Sequence, residues 1–212
     1  MTERADSDMN LREDPDDLHI TRHEDPVSYE ERCRMLGQRG AVLWLTGLSG
    51  SGKSTIAGLV SEGLAARKKH AYILDGDNMR HGLSAGLGFS DEDRSENIRR
   101  IAEAAALFRD AGVIAIVSVI SPRKAMRENA RRIVGSGHFY EIYVKADAAL
   151  CAKRDPKGLY RKAKDGEIHA FTGISSPYEE PEEPDLTVDT ASMTPEEAAQ
   201  RILDFLIPEV AL

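Results

Sequence analysis

The segment Gly47-Leu48-Ser49-Gly50-Ser51-Gly52-Lys53-Ser54-Thr55 constrains this chain more than any other. It fits the spacing G-x-x-x-x-G-K-[ST] and lies between two patterned stretches. Residues 41–45 before it are all apolar and read as a buried strand. After it, apolar residues at Ile56, Leu59, Val60 and Leu64 have the spacing of a helix with one buried face. Glycines between a strand and a helix permit dihedrals that turn successive N–H groups inward, and the helix points its positive end at the same spot. That concavity suits phosphate oxygens. Lys53 can then reach the outer phosphates, and the Ser54 hydroxyl can ligate Mg²⁺. The motif in this context predicts a nucleoside triphosphate site with ATP and Mg²⁺; a glycine turn that binds nothing has no need of the flanking elements.

The rest of the chain repeats the strand–helix alternation. Residues 71–74 read as a second strand closed by Asp75 and Asp77, and residues 113–120 as a central strand. Residues 140–145 and 186–188 read as further strands, with helices over 123–134 and 148–153. Ser90 followed by Asp93 resembles a capping box opening a long helix through residue 111. Thr194-Pro195-Glu196-Glu197 supplies a cap, a proline at the first helical position and a Glu three residues on, which starts a terminal helix. Strands that are apolar throughout and separated by helices predict an α/β fold of the P-loop NTPase type, a parallel sheet with helices on both faces. Residues 157–176 are polar, basic and glycine-bearing without a clear period, and read as a lid of about residues 156–176. The run from 153 to 164 holds six basic residues, so it suits an anion or equally a solvated face.

Composition matters mainly through where the charge sits. Residues 1–31 hold eleven acidic and three basic side chains, which accounts for the whole net charge of −8. The remaining 181 residues balance at 25 of each sign. The chain is therefore expected to be an acidic N-terminal tail, 1–31, partly disordered, followed by one domain, 32–212. No basic stripe remains to bind nucleic acid. The longest apolar stretch, residues 111–120, is half of what a membrane helix needs. Two cysteines, Cys33 and Cys151, exclude a disulfide scaffold, and their contexts read as a helix surface and a helix interior. A soluble protein of the reducing cytoplasm is expected.

More specific motifs follow in order. Asp75-Gly76-Asp77-Asn78-Met79-Arg80-His81, Gly88-Phe89-Ser90, Asp93-Arg94-Ser95-Glu96-Asn97, Ile120-Ser121-Pro122, Arg154-Asp155-Pro156-Lys157-Gly158, Phe171-Thr172-Gly173 and Ser176-Pro177-Tyr178-Glu179 together closely resemble the adenylylsulfate kinase family. The resemblance implies transfer of the ATP γ-phosphoryl group to the 3′-hydroxyl of adenosine 5′-phosphosulfate. It implies Asp77 as the residue facing that hydroxyl, with Lys53 as the other charged catalytic group, and Asp75 with Ser54 as the residues serving Mg²⁺. Phe89 and Phe171 correspond to two rings that sandwich the acceptor adenine, and Arg80, Arg94 and Asn97 to binders of the phosphosulfate. Arg154 and Thr190 correspond to contacts of the ATP adenine, and Asn78, Ile120, Lys157 and Ala170 to acceptor contacts. Ser121 is open between substrate contact, a strand-end cap and a covalent phosphoserine. The resemblance also implies a homodimer and a functional link to an ATP sulfurylase. The chain departs from the pattern at Arg123, followed by Lys124, where an aromatic or His is frequent after Ser-Pro, and at Val119 and Met79. Two other readings stay open: another small P-loop kinase, and a silent ATP-binding regulatory module.

Overall fold

The computed structural model describes residues 21, 23, 25–167 and 171–212. Five strands, β1 (Ala41–Thr46), β2 (Ala71–Asp75), β3 (Ile114–Ser118), β4 (Phe139–Lys145) and β5 (Leu186–Asp189), form one sheet in the order β2-β3-β1-β4-β5. Every pairing is parallel, for example Leu43 opposite Ile116 and Tyr140. Parallel strands need crossover helices, and those helices cover both faces of the sheet. All six residues of β1 are therefore buried, and their side chains alternate between two cores.

Leu43 and Leu45 pack with Ile56, Val60 and Leu64 of α2 (Lys53–Ala66) and with Ile202 and Leu206 of α8 (Pro195–Glu209). Val42 and Trp44 face the other way, onto Ile98, Ile101 and Ala105 of α4 (Asp91–Asp110) and Met126 and Ala130 of α5 (Lys124–Val134). Full burial of each large aliphatic chain contributes roughly 1.5–3 kcal/mol, so β1 is the strand the rest is built around. β3, expected as the central strand, lies one place from the centre and stops at Ser118.

Several local expectations change in detail. α1 (Tyr29–Leu36) begins at a complete capping box of Ser28 and Glu31, so ordered structure takes in residues assigned by charge to the tail. Its Cys33 is buried and not on the surface. At Ser90 only half of the box forms, since Asp93 accepts from the Gly88 N–H instead of the cap backbone. The box at Thr194 is complete. The lid contains a helix, α7 (Leu159–Lys164), that its composition did not announce. Asp155 organises the entry to it, accepting from the N–H groups of Tyr160 and Arg161. Among the described residues no helix is long and apolar enough to cross a membrane.

The connections leave β1 toward β3 and β2, then cross to β4 and β5 on the other side. Ligands in open parallel sheets lie outside the carboxyl ends of the strands at such a reversal. Here that place is the end of β1, where Gly47 follows Thr46.

Candidate active site

The loop after β1 has the backbone its glycines anticipate. Gly47, Gly50 and Gly52 have φ of 151°, 79° and 104°, and a Cβ on Gly47 would lie 2.4 Å from the Val144 carbonyl oxygen. α2 starts at Lys53 with no side-chain cap, which leaves its first N–H groups directed at the loop. Lys53 is buried, and its Nζ donates to the carbonyls of Gly47 at 2.9 Å and Leu48 at 2.7 Å. Burial pushes its amine down to about 8, against the pull of Asp75. A bound triphosphate would restore the charged form. At pH 8 binding of Mg-AMPPNP is therefore expected to take up about half a proton, and at pH 6.5 almost none. Affinity should weaken as pH rises through 8. Titration calorimetry in buffers of different ionisation enthalpy measures this directly, and zero uptake at pH 8 would contradict it.

Ser54 Oγ donates to Asp75 Oδ2 at 2.8 Å and lies 3.3 Å from Ser118 Oγ. A hydroxyl beside a carboxylate at the mouth of a phosphate loop is a hard-oxygen pair that fits Mg²⁺. Among the described residues no group of three or more His, Cys, Asp or Glu is placed to hold a metal by itself. Asp75 also caps the short helix α3 (Gly76–Arg80), its Oδ1 accepting from Asp77 N at 3.0 Å. Asp77 thus stands in the first turn of α3, one step beyond the strand end where the sequence placed it. Its carboxylate pairs with Lys157 Nζ from the lid. Ser54, Asp75, Asp77, Asn78 and Lys157 line one hollow of about 380 Å³.

The remaining predicted residues fall into three groups. Arg154 and Thr190 meet: Arg154 donates to Thr190 Oγ1 at 2.9 Å and to its carbonyl at 2.6 Å, against the Ser51 carbonyl. Arg80, Arg94 and Phe89 also meet. The Arg80 guanidinium lies 4.5 Å from the Phe89 ring centre, and Arg94 Nε donates to the Phe89 carbonyl while Nη1 donates to Thr172. Asn97 is buried one turn beyond Arg94 on α4, with no hydrogen-bond partner for Oδ1 among the described residues.

The third group departs from expectation. Phe89 is 63% exposed, but Phe171 is 7% exposed and packs edge-on to Tyr160 at 4.9 Å. Phe171 therefore belongs to a small apolar cluster with Ala146, Cys151 and Tyr160, so the two rings are not both presented to an acceptor. Ser121 is 1% exposed at φ 40°; its hydroxyl donates to Thr46 Oγ1 and accepts from Trp44 Nε1. That is the strand-end placement among the alternatives left open for it. Ala170 lies outside the described residues. Arg123 pairs with Asp91 and Glu179, which gives the unexpected residue a local role.

Two residues have a role that the sequence did not suggest. Tyr160 of α7 donates its hydroxyl to the Ser49 carbonyl at 3.0 Å, fastening the lid to the phosphate loop. Thr46 bonds both Ile120 and Tyr178. Neither has a periodic or charged signal to betray it.

The family profile described as Adenylylsulphate kinase matches residues 39–189. The chain belongs to that family. A probable adenylyl-sulfate kinase of Halalkalibacterium halodurans is 54% identical over 188 residues, 89% of this chain and 93% of its own. The adenylyl-sulfate kinase of Shewanella amazonensis is 49% identical over 189 residues, 89% of this chain and 96% of its own. Among solved structures, the Mycobacterium tuberculosis APS kinase in complex with AMPPNP and APS superposes with a TM-score of 0.77 at 47% identity, covering 80% of this chain and 98% of that one. Membership of the adenylylsulphate kinase family accords with a phosphate loop and an acidic α3 that share one hollow.

Proposed function

We propose that this protein transfers the γ-phosphoryl group of ATP to the 3′-hydroxyl of adenosine 5′-phosphosulfate, giving ADP and 3′-phosphoadenosine 5′-phosphosulfate. One observation carries the reading: Asp77 lines the same hollow as Ser54 and Asp75, so an acceptor hydroxyl on Asp77 would lie next to phosphates held by the loop. The loop amides and the N-terminus of α2 hold the β- and γ-phosphates, and the Lys53 ammonium balances charge that builds on the leaving oxygen. Ser54 and Asp75 would hold Mg²⁺, which supplies charge neutralisation between the two outer phosphates. Asp77 orients the 3′-hydroxyl in line and receives its proton. The bond from that oxygen to the γ-phosphorus forms as the bond to the β-bridging oxygen breaks.

Arg80 at the end of α3 and Arg94 in the first turn of α4 flank Phe89, with buried Asn97 one turn beyond Arg94, a cationic and aromatic patch suited to an adenine nucleotide carrying a phosphosulfate. Arg154 and Thr190, against the other end of the phosphate loop, suit the adenine of ATP. Lys157 would leave Asp77 for the acceptor's anionic groups, which carry more negative charge than a single carboxylate. Phe171 reaches the acceptor only with repacking of the lid around Tyr160. A homodimer, a cytoplasmic site of action and a functional link to an ATP sulfurylase belong to the same reading and are supported by the family resemblance alone.

The test follows ADP and the 3′-phosphorylated product together, with MgATP and adenosine 5′-phosphosulfate, and with AMP and gluconate as parallel acceptors. Equal amounts of ADP and product with the phosphosulfate, and little with the others, is the expected result. ADP without product would indicate another acceptor. Silence with all acceptors despite ATP binding would favour a regulatory module.

A further inference from the structure

The Thr46 hydroxyl stands at a junction that the proposed chemistry does not use. Thr46 is fully buried and immediately precedes Gly47, the first residue of the phosphate loop. Its Oγ1 donates to the Ile120 carbonyl at 2.6 Å, accepts from Ser121 Oγ at 2.9 Å and lies 3.0 Å from the Tyr178 hydroxyl. A hydroxyl has one proton and two lone pairs. The proton goes to Ile120 and one lone pair to Ser121, so Tyr178 must be the donor into the other. Thr46 is then saturated. Burial raises the Tyr178 phenol to about 12, which keeps it protonated as donation requires.

The same two partners are held from behind. Buried Arg127 donates to the Ser121 carbonyl at 3.0 Å, is itself paired with Glu141 at 2.7 Å, and lies 6.0 Å from the Tyr178 ring centre. Ser121, at φ 40°, adopts a backbone rare outside glycine, which persists only where surroundings impose it. Next in sequence, the Glu179 N–H donates to the Pro122 carbonyl, and Glu179 Oε2 accepts from Lys124 N at the start of α5. The segment just past the lid is thus tied both to the residue before the phosphate loop and to the turn after β3.

We propose that Tyr178 is a positioning residue for phosphoryl transfer, locking the phosphate loop to Ile120 and Ser121 through the Thr46 hydroxyl so that donor and acceptor stay in register. The inference rests on the proposed reading, with the loop after β1 holding ATP, and on the family resemblance that makes Ile120 an acceptor contact. Loss of register affects alignment more than binding, and small misplacements of reacting atoms are costly. Tyr178→Phe deletes only the donor and is expected to lower kcat about 10-fold, with KM for both substrates within about threefold. Its Tm should fall by no more than about 5 °C. Ser121→Ala on top of Tyr178→Phe should cost less than its effect alone, since both act through one oxygen. Thr46→Ser should retain parental kcat where Thr46→Val does not. Unchanged kcat in Tyr178→Phe, additive effects in the double variant, or a loss that only follows Tm would overturn the proposal.

A readout without acceptor separates this idea from the functional reading. In hydrogen exchange, Mg-AMPPNP should protect the amides of residues 120, 121, 123, 124, 178 and 179 in the parent and not in Tyr178→Phe. Equal protection in both, or none in the parent, overturns the coupling. Inactivity of the parent toward adenosine 5′-phosphosulfate, with protection that depends on Tyr178, would refute the acceptor assignment and leave the coupling in place.

Discussion

Asp77→Asn is expected to lower kcat by about 10²-fold or more while Mg-AMPPNP affinity stays within about threefold of the parent. The split follows from position. Asp77 stands on α3, its backbone N–H bonded to Asp75 and its carboxylate paired with Lys157, and among the described residues it makes no hydrogen bond to the phosphate loop. Asn keeps the size and one acceptor oxygen but cannot take a proton from an alcohol. Hydrogen-bonded placement of the hydroxyl would survive in part; its deprotonation would not. The substitution also removes the charge that holds Lys157, so the lid loses one of its fastenings while Tyr160 to Ser49 remains. Steady-state turnover and calorimetry with Mg-AMPPNP measure the two halves separately. Near-parental turnover would remove Asp77 from the chemistry, and lost nucleotide binding would place it on the donor side.

Lys53→Met should act in opposite directions on activity and stability. A methionine fills a comparable volume beneath the loop but brings no charge to the leaving oxygen, and kcat/KM for MgATP is expected to fall by about 10³-fold. Stability has another sign. Lys53 is buried with its amine near 8, below the ordinary lysine value of 10.5, so the folded protein binds fewer protons than the unfolded chain between those values. Stability contributed by this group therefore rises with pH across 8 to 10.5, and below 8 the buried charge costs about 3 kcal/mol. Methionine removes that cost and forfeits two hydrogen bonds to the Gly47 and Leu48 carbonyls, each a net ~1 kcal/mol. Tm at pH 7 should therefore equal or exceed that of the parent. A catalytic collapse accompanied by a large loss of Tm would mean that Lys53 is chiefly a structural clasp.

Both effects concern residues that stood out in the sequence, and the reason is local. In the phosphate loop, the glycine dihedrals, the uncapped N-terminus of α2 and the reach of Lys53 all arise within eight consecutive residues. The strand and helix periods around them are equally local, as are the proline and capping box that open α8. Asp75 and Asp77 were legible as a strand-terminal acidic pair, although the turn of α3 that lifts Asp77 away from the strand was not. Hydrophobic alternation cannot report a single helical turn.

The residues whose surroundings the sequence left unread depend on distant partners. Phe171 sits among polar and glycine residues in the chain, so nothing nearby marks it as buried. Its neighbours Tyr160 and Cys151 come from α7 and α6 (Ala148–Arg154), brought together by the fold of the lid. Ser121 stays open in the sequence between substrate contact, a strand-end cap and a phosphoserine, because Thr46 and Trp44, which bond its hydroxyl, lie 75 and 77 positions away. The half-formed box at Ser90 follows the same rule, because Asp93 turned instead to the Gly88 N–H of the preceding loop.

The sequence by itself determined the strand–loop–helix that cradles phosphate, the parallel α/β class and the family to which the chain belongs. The first two depend on contacts within one or two turns, or on apolar periods that any parallel sheet must satisfy, and the family was carried by the ordered motifs between Asp75 and Glu179 that resemble it. Tertiary structure alone decided which hydroxyls face a substrate and which saturate one another. It also set Lys157 on Asp77 and Tyr178 on Thr46, because a hydrogen bond between residues 80 or 132 positions apart leaves no trace in the spacing of either.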